Sequence, residues 1–378
     1  MERVSNMQQI PKKCDFVIIG GGPTGSSVAT FLKQKGYEPV ILEKKKHPRY
    51  QVGESIIPHF WKYAAHLGVT EKVEAEGFLS KAGGTVVWDG QIRQMSFGAF
   101  GYAKPAMHVE RAQLDHILLD HAKSQGVQVY EEVSVQKVDL TDETAPKVLY
   151  KAPGENTVSE ITARYVLDAS GQSGVLAKQL GVRVIDEGFR FMSLWGYFQD
   201  SKYFAIDGKA HNFSELRTTP PTTFVSNLDG WGWLWHIPLR TTTSVGLVVP
   251  VETMMAAKSQ EDLEAYFVRR CHEIPYLKGL LENATFEGKL HVIRDYSYQP
   301  TRATGPGYYL LGDSAGFIDP IFSVGVPLGM YAAYLAAWAL DRSMQNPSTA
   351  EKNQMLYEKQ FKARLEMSRA LALPCYQP

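Results

Sequence analysis

The chain has 378 residues, with 40 Lys and Arg against 40 Asp and Glu, so its formal net charge at pH 7 is zero. This balance argues against a protein that binds nucleic acid through its phosphates, and the length suffices for one large or two medium domains with a buried core. The three cysteines, Cys14, Cys271 and Cys375, are far apart and form no C-x-x-C pair, so they indicate neither a metal site nor a disulfide framework, and they fit a reducing compartment.

The first predicted elements are a strand, a glycine turn, a helix and a second strand. An apolar run over 16–19 leads into a glycine turn, and a helix is predicted over 24–35. The turn consists of Gly20, Gly21, Gly22, Pro23, Thr24 and Gly25. In such a turn the first glycine permits the bend, the second lets a pyrophosphate approach the backbone, and the third lets the helix pack closely on the strand. A second strand over 38–42 leads into Glu43, where an acid would hold a ribose hydroxyl, so the unit predicts a dinucleotide site.

The rest of the chain mixes helical and extended segments. In chain order, the further predicted elements are a helix over 105–124, short strands over 127–130, 133–138, 147–150 and 165–167, a broad antiparallel sheet over 190–250, helices within 259–284, a strand, glycine turn and long helix over 308–340, and an amphipathic helix over 350–370. This order predicts an α/β protein with two interleaved domains. The nucleotide domain takes residues 1–80, 105–181 and 285–378, and the substrate domain takes 82–104 and 182–284.

Neither a membrane span nor a signal peptide is expected. The apolar stretch 324–340 contains Gly, Pro and aromatic residues and follows a glycine-rich turn, so we expect a buried helix. Residues 1–14 are polar and lack the apolar core of a signal peptide. We therefore expect no membrane partner and a cytoplasmic location.

Four further segments carry a resemblance to a known family. They are Val52-Gly53-Glu54-Ser55 after Arg49, His108-Val109-Glu110-Arg111 before Leu114 and Asp115, Val166-Leu167-Asp168-Ala169-Ser170-Gly171, and Leu311-Gly312-Asp313-Ser314-Ala315-Gly316. With the glycine turn they resemble FAD enzymes of the aromatic-hydroxylase type, which have a Rossmann-like FAD-binding domain and an interleaved antiparallel-sheet substrate domain. The resemblance implies that Asp313 binds the flavin ribityl chain, with a helix N-cap as the alternative, and that Arg111 binds the pyrophosphate. It also assigns cofactor binding to Glu43, Arg49, Ser55, Asp168 and Gly312.

Within that superfamily the chain most resembles flavin-dependent halogenases. The matching segments are Trp233-Leu234-Trp235-His236-Ile237-Pro238 for W-x-W-x-I-P, Phe317-Ile318-Asp319-Pro320-Ile321-Phe322-Ser323-Val324-Gly325 for F-x-x-P-x-x-S-x-G, and Phe78-Leu79-Ser80-Lys81-Ala82-Gly83-Gly84 for the segment with the active-site lysine. The resemblance assigns that role to Lys81. Two departures stand out. Phe322 stands where tryptophan-type members have Glu, as in members that act on phenols and pyrroles, and the chain ends at Pro378, without the further region that helps cover the substrate in typical halogenases.

The resemblance implies a separate role for each of these residues. In a halogenase, reduced FAD, oxygen and a halide yield hypohalous acid, which a lysine binds or captures as a haloamine. Lys81 suits either role if burial lowers its pKa, and a solvent-exposed position is the alternative. Trp233 and Trp235 share one face of a strand, where they either separate flavin from substrate or pack the core. The turn Ser323-Val324-Gly325 either binds a halide or brings the backbone close to the isoalloxazine. Three histidines are expected to be structural: His59, His108 and His236.

Three enzymatic functions remain open from the sequence, and a non-enzymatic flavin-binding chaperone is a further alternative. The first is an FAD-dependent halogenase acting on an electron-rich phenol or pyrrole, with a halide and a separate flavin reductase as partners. The second is a flavin monooxygenase that hydroxylates a bulky target, either carrier-bound or a tryptophan in a partner protein, as in the maturation of tryptophylquinone cofactors. The third is a saturase similar to geranylgeranyl reductases. All three use FAD, and none requires a metal ion.

Overall fold

The computed structural model describes residues 9–228 and 232–372. Within these residues the α-helices are α1 (Pro23–Gln34), α2 (Phe60–Leu67), α3 (Thr70–Ala75), α4 (Arg111–Ser124), α5 (Val175–Gln179), α6 (Val251–Lys258), α7 (Leu263–Glu273), α8 (Pro275–Leu280), α9 (Gly325–Gln345) and α10 (Ala350–Ala372). The strands are β1 (Phe16–Ile19), β2 (Pro39–Leu42), β3 (Ser55–Ile56), β4 (Leu79–Lys81), β5 (Gly83–Trp88), β6 (Gln91–Ser96), β7 (Ala106–His108), β8 (Gln128–Tyr130), β9 (Ser134–Asp139), β10 (Lys147–Lys151), β11 (Ser159–Thr162), β12 (Tyr165–Asp168), β13 (Arg183–Ile185), β14 (Phe191–Gln199), β15 (Tyr203–Phe204), β16 (Ala210–His211), β17 (Thr222–Asn227), β18 (Trp233–Pro238), β19 (Thr243–Pro250), β20 (Thr285–Phe286), β21 (His291–Arg294), β22 (Tyr298–Pro300), β23 (Thr304–Gly305) and β24 (Tyr308–Leu310).

A six-stranded sheet forms the nucleotide-binding half of the fold. Its strand order is β23-β24-β12-β1-β2-β8, and every pair except β23–β24 is parallel. Helix α1 packs against α4 and α9, and all residues of β1 and β2 are buried. Strands buried on both faces are typical of a parallel sheet covered by helices. The predicted α/β fold with a Rossmann-type sheet is confirmed.

A second, larger sheet has the order β20-β14-β19-β18-β17-β5-β6, with β21 also paired to β14. Strands β14, β17, β18 and β19 pair antiparallel, as predicted for 190–250. The hairpin of β5 and β6 joins this sheet through a parallel pairing of β17 with β5, from Thr222 opposite Gly83 to Ser226 opposite Val87. The division of the chain into two interleaved domains, with the bounds given above, stays a prediction.

The predicted helix over 105–124 begins later than expected. Ala106–His108 form β7, which pairs with both β3 and β4, and α4 begins at Arg111. Backbone pairing with two neighbouring strands outweighs the local helical pattern here, since strand formation depends mainly on its tertiary surroundings. The same small sheet places Lys81 at the end of β4, opposite Ala106. This pairing fixes the backbone of the predicted active-site lysine.

Two further features concern the helices and the cysteines. Among the described residues, none of the helices is apolar over a stretch long enough to span a membrane. Cys14 and Cys271 carry free thiols, and Cys375 lies outside the described residues.

Candidate active site

The glycine turn brings the backbone of α1 to the mouth of a cavity. Gly22 is the N-cap of α1, and no side chain caps this helix, so its first N–H groups are available to an anion. Gly20 has φ +103°, which favours glycine. A Cβ on Gly25 would lie 1.9 Å from the Gly20 carbonyl oxygen, so glycine is required at this position. These features fit a pyrophosphate group.

Glu43 lies beside this turn, and backbone groups occupy both of its carboxylate oxygens. Gly21 N–H donates to Oε2 at 2.6 Å, and Lys45 N–H donates to Oε1 at 2.8 Å. Carboxylate oxygens each have two lone pairs, so both retain capacity to accept from a ribose hydroxyl. Glu43 therefore shapes the glycine turn as well as lining the cavity.

The cavity has a volume of about 450 Å³ and runs from the glycine turn to the second sheet. The predicted site residues that line it are Gly20, Gly22, Pro23, Thr24, Glu43, Arg49, Ser55, Arg111, Asp313, Trp233, Trp235, Ser323 and Gly325. The remaining predicted site residues do not line it: Gly25, Lys81, Asp168, Gly312 and Val324. The sequence motifs thus converge from distant parts of the chain on one cavity.

Arg111 and Arg49 share a carboxylate. Arg111 donates to Asp115 through Nε at 2.8 Å and Nη2 at 3.1 Å, and Arg49 Nη1 donates to the same carboxylate at 2.7 Å. Burial opposes ionisation of Asp115, but the two guanidinium groups outweigh it and lower its pKa. Arg111 also donates to the Val52 carbonyl oxygen at 2.7 Å. Asp115 therefore orients both guanidinium groups at the cavity wall, and this function was not predicted from the sequence.

The two predicted aspartates differ in their surroundings. Asp313 lines the cavity, and burial raises its pKa to about 6 against the attraction of Arg111 and Arg183. Asp168 does not line the cavity and accepts hydrogen bonds from Ser170, from Leu176 N–H at 2.8 Å and from Ala177 N–H at 3.3 Å. Asp313 is thus placed to meet a cofactor hydroxyl, and Asp168 holds the turn that follows β12.

Aromatic side chains form the wall of the cavity on the second sheet. The rings of Trp233 and Trp235 lie on one face of β18 with centroids 5.7 Å apart, and Trp195 lies 6.4 Å from Trp235. Trp235 Nε1–H donates to Ser244 Oγ at 3.2 Å. All three rings line the cavity. This wall is apolar and rigid, because buried tryptophans have few alternative positions.

Lys81 is buried, with only 4% of its surface exposed. Its Nζ donates to Ser55 Oγ at 2.8 Å and lies 5.2 Å from the centroid of the Phe97 ring. Burial lowers the pKa of Lys81 to about 7. Ser55 lines the cavity, so a single hydroxyl group separates the lysine amine from the cofactor cavity.

The turn before α9 approaches the same hydroxyl. Ser323 has φ +55°, a left-handed conformation that is uncommon for residues other than glycine and is often found at functional sites. Its Oγ donates to Ser55 Oγ at 2.9 Å. Helix α9 begins at Gly325 with no side-chain cap, so N–H groups of its first turn are available to an anion at the cavity.

Glu54 and Thr223 also line the cavity, and neither was assigned a role from the sequence. Glu54 is buried, and burial raises its pKa to about 7. It accepts from Tyr197 O–H at 2.7 Å. Thr223 lies on β17, with its Oγ1 at 3.1 Å from Ser55 Oγ. Thr223 comes from a strand without a motif of its own, so no sequence signal identifies it, whereas Tyr197 is one of the aromatic residues of the predicted substrate domain.

The described residues fit FAD. The glycine turn and the N-terminus of α1 suit the pyrophosphate, Glu43 suits a ribose, Asp313 suits the ribityl hydroxyls, and the tryptophan wall suits an isoalloxazine ring. A Cβ at Gly22 would meet the Arg49 guanidinium at 3.3 Å and no other described atom within 4 Å. That position is open toward the cavity, as a backbone approach to phosphate requires.

Comparisons with known proteins agree with this assignment. Residues 13–354 match the family model described as an FAD binding domain. The chain is 33% identical over 332 residues to a tryptophan 2-halogenase of Chondromyces crocatus, covering 87% of this chain and 61% of the relative. It is 32% identical over 360 residues to flavin-dependent halogenase armH1 of Armillaria mellea, covering 90% of this chain and 67% of the relative. The chain thus spans roughly two thirds of the length of these curated relatives.

The fold is also that of a solved halogenase. The structure of the myxobacterial chondrochloren halogenase CndH, described as a new variant of FAD-dependent halogenases, superposes with a TM-score of 0.87 at 30% identity. The match covers 97% of this chain and 84% of the other chain. The agreement therefore extends over nearly the whole chain and is not confined to the segment around the glycine turn.

Proposed function

Because this chain belongs to the flavin-dependent halogenase family, we propose that it uses reduced FAD, oxygen and a halide to halogenate an electron-rich aromatic compound. The observation that carries this proposal is the position of Lys81. Its amine is buried, and it contacts Ser55, which lines the cofactor cavity. No carboxylate among the described residues pairs with Lys81, and a buried lysine of this kind is rarely retained for stability alone, since burial disfavours its charge.

The overall reaction balances as Ar–H + X⁻ + O₂ + FADH₂ → Ar–X + FAD + H₂O + OH⁻. Reduced FAD, when bound, supplies the two electrons, and the halide leaves the cofactor site as hypohalous acid. Lys81 then holds this acid through an N–H donor, or takes the halogen on its neutral amine. A pKa of about 7 leaves both forms of Lys81 populated near neutral pH.

We propose that the tryptophan wall separates the substrate from the cofactor. The rings of Trp195, Trp233 and Trp235 line the cavity on the second sheet and exclude water from that wall. A substrate behind this wall is kept from direct contact with the cofactor, so only the small oxidant reaches it. Phe97, whose ring centroid lies 5.2 Å from Lys81 Nζ, offers an apolar surface beside the amine.

We infer a phenol or pyrrole as the substrate class. Position 322 holds a half-exposed phenylalanine and not the carboxylate found in tryptophan-type members. An activated ring loses its proton readily after halogen addition and needs no strong base. The substrate is either free or attached to a carrier or protein, and a separate flavin reductase supplies the reduced cofactor.

The test is a product assay with the purified chain. FAD is reduced chemically, so that no reductase is needed, and mixed with aerated buffer, the protein and resorcinol, pyrrole or tryptophan, with and without bromide. Mass spectrometry then identifies the products. We expect a monobrominated resorcinol or pyrrole that forms only with bromide, protein, FAD and oxygen together.

Two other results would replace this proposal. Oxygen incorporated into the substrate without any need for bromide would identify a monooxygenase. Reduction of a carbon–carbon double bond in an isoprenoid substrate without oxygen would identify a saturase. Bromination of tryptophan in preference to both other substrates would keep halogenation and overturn the substrate class.

A further inference from the structure

Four buried polar side chains form a hydrogen-bonded chain from Lys81 into the interior of the protein. Lys81 Nζ lies 2.8 Å from Ser55 Oγ, Ser55 Oγ lies 3.1 Å from Thr223 Oγ1, and Thr223 Oγ1 lies 2.8 Å from His108 Nε2. The four residues belong to β4, β3, β17 and β7. All four are buried.

The protons in this series of hydrogen bonds can be assigned by counting donors and acceptors. Ser55 Oγ receives a hydrogen bond from the Lys81 ammonium, which can only donate, and a second from Ser323 Oγ. Both lone pairs of Ser55 are then occupied, so its own proton points to Thr223. The Thr223 proton in turn points to His108 Nε2, which must accept.

His108 meets this requirement. Burial lowers the pKa of His108 well below its usual value, and the nearby Lys81 and His236 act in the same direction, against a backbone hydrogen bond at Pro238 that raises it. The ring is therefore neutral, with its proton on Nδ1 and a lone pair on Nε2. Among the described residues, Lys81 and His236 are the titratable groups that act on His108, and Glu54 precedes Ser55 in the sequence.

We propose that Thr223 and His108 are positioning residues that turn the Ser55 hydroxyl proton away from Lys81, so that Ser55 presents its lone pairs to the Lys81 ammonium and to Ser323. This positioning role depends on the proposed function in one respect, which is that Lys81 takes part in catalysis. Ser55 thereby stabilises the charged form of the lysine and fixes its amine beside the cavity. Neither Thr223 nor His108 reaches Lys81 directly, since Ser55 lies between them.

Removal of the Thr223 hydroxyl tests this arrangement. In Thr223→Val the Ser55 proton loses its acceptor and is free to donate to the lone pair of a neutral Lys81 amine, which favours that form. We expect the pKa of Lys81 to fall by about one unit, which corresponds to a tenfold change in its ionisation constant. The measurement is an NMR titration of the lysine Cε resonances of the FAD-bound protein, with the Lys81 signal assigned by its absence in Lys81→Met.

Two variants serve as controls. Thr223→Ser keeps the hydroxyl and should restore the original titration. Thr222→Val removes the neighbouring buried hydroxyl, which bonds to Thr85 Oγ1 at 2.7 Å and the Phe204 carbonyl oxygen at 2.9 Å on the other side of β17, and should leave the Lys81 titration unchanged. If Thr223→Val does not fold, Thr223→Ala replaces it.

The outcome is independent of the proposed reaction. A folded Thr223→Val protein with an unchanged Lys81 titration, or an equal shift in Thr222→Val, would overturn the positioning role even if the wild type halogenates. A shift confined to Thr223→Val would support it even if no halogenated product is found. Where product does form, the midpoint of the pH–rate profile should move to lower pH by the same amount.

Discussion

At the scale of single residues, Glu54 makes the free energy of unfolding depend on pH. Burial raises the pKa of this carboxyl from 4.5 to about 7. Below pH 4.5 it is protonated in both folded and unfolded chains, and between pH 4.5 and about 7 the folded chain retains the proton that the unfolded chain loses. The free energy of unfolding therefore falls as the pH rises through this range, by up to about 3 kcal/mol.

Glu54→Gln should remove most of this dependence. The amide is neutral at every pH, so the FAD-free variant should gain stability relative to wild type as the pH rises from 5 to 8, measured by thermal unfolding. Asp139→Asn is the matched control, because hydrogen bonds from Thr141 lower the pKa of that exposed carboxyl and its contribution is lost only under acid conditions. An equal stability difference for Glu54→Gln at both pH values would contradict the prediction.

Sequence motifs identified the residues at the cavity but not those that support them. Lys81 and Ser323 were predicted through their family segments, and both contact Ser55 in the structure. Thr223 could not be assigned a function, since its partners Ser55 and His108 are distant in sequence. Asp115 pairs with the nearby Arg111, but its contact with the distant Arg49 appears only in the folded chain. His108 was predicted to be structural, and only the folded chain shows that it contacts Thr223.

At the scale of secondary-structure elements, the contact between α1 and the glycine turn has no room for a side chain. Gly25→Ala would place a methyl group 1.9 Å from the Gly20 carbonyl oxygen. We expect the helix to shift away from β1, which should lower the free energy of unfolding by about 1–3 kcal/mol or more and weaken FAD binding at least tenfold. Thermal unfolding and fluorescence titration with FAD measure the two effects.

Gly279→Ala on α8 is the control for this variant. A Cβ there meets no described atom within 4 Å, and alanine favours a helix more than glycine does. This variant should unfold at the same or a slightly higher temperature and bind FAD normally. A Gly25→Ala protein that behaves in the same way would show that α1 does not depend on close packing at the turn.

Elements set by local sequence signals were predicted well, and elements set by pairing with distant segments were not. The βαβ unit was predicted within a residue or two, because its apolar runs and glycine turn are local signals. Strand β7 was predicted as part of a helix, since only its pairing with β3 and β4 makes it extended. The parallel pairing of β17 with β5 joins segments more than 130 residues apart, and no local pattern indicates it.

At the scale of the whole molecule, Arg240 links the large sheet to the helices of the nucleotide-binding half. It follows β18, and its side chain donates to Glu110 Oε2 at 2.9 Å and to the Glu76 carbonyl oxygen at 2.9 Å. Glu110 precedes α4 and Glu76 follows α3. Charge-assisted hydrogen bonds at a partly buried position contribute more than exposed ion pairs.

Arg240→Leu should therefore lower the free energy of unfolding by about 2 kcal/mol in a denaturant titration. Arg269→Leu is the matched control, because Arg269 is more exposed and pairs with Glu261 and Glu273 around the single helix α7. Its loss should change the stability by less than about 1 kcal/mol. Equal effects of the two substitutions would show that Arg240 does not join the two halves.

The role of Lys81 in halogenation is tested most directly by comparing wild type with Lys81→Met in one bromination assay. Both proteins should bind FAD equally, since Lys81 does not line the cavity, and both should consume oxygen. We predict that brominated product falls at least about 100-fold in Lys81→Met, while Lys104→Met, a variant of a surface lysine paired with Glu74, keeps full activity. Undiminished bromination by an FAD-loaded Lys81→Met protein would contradict the account.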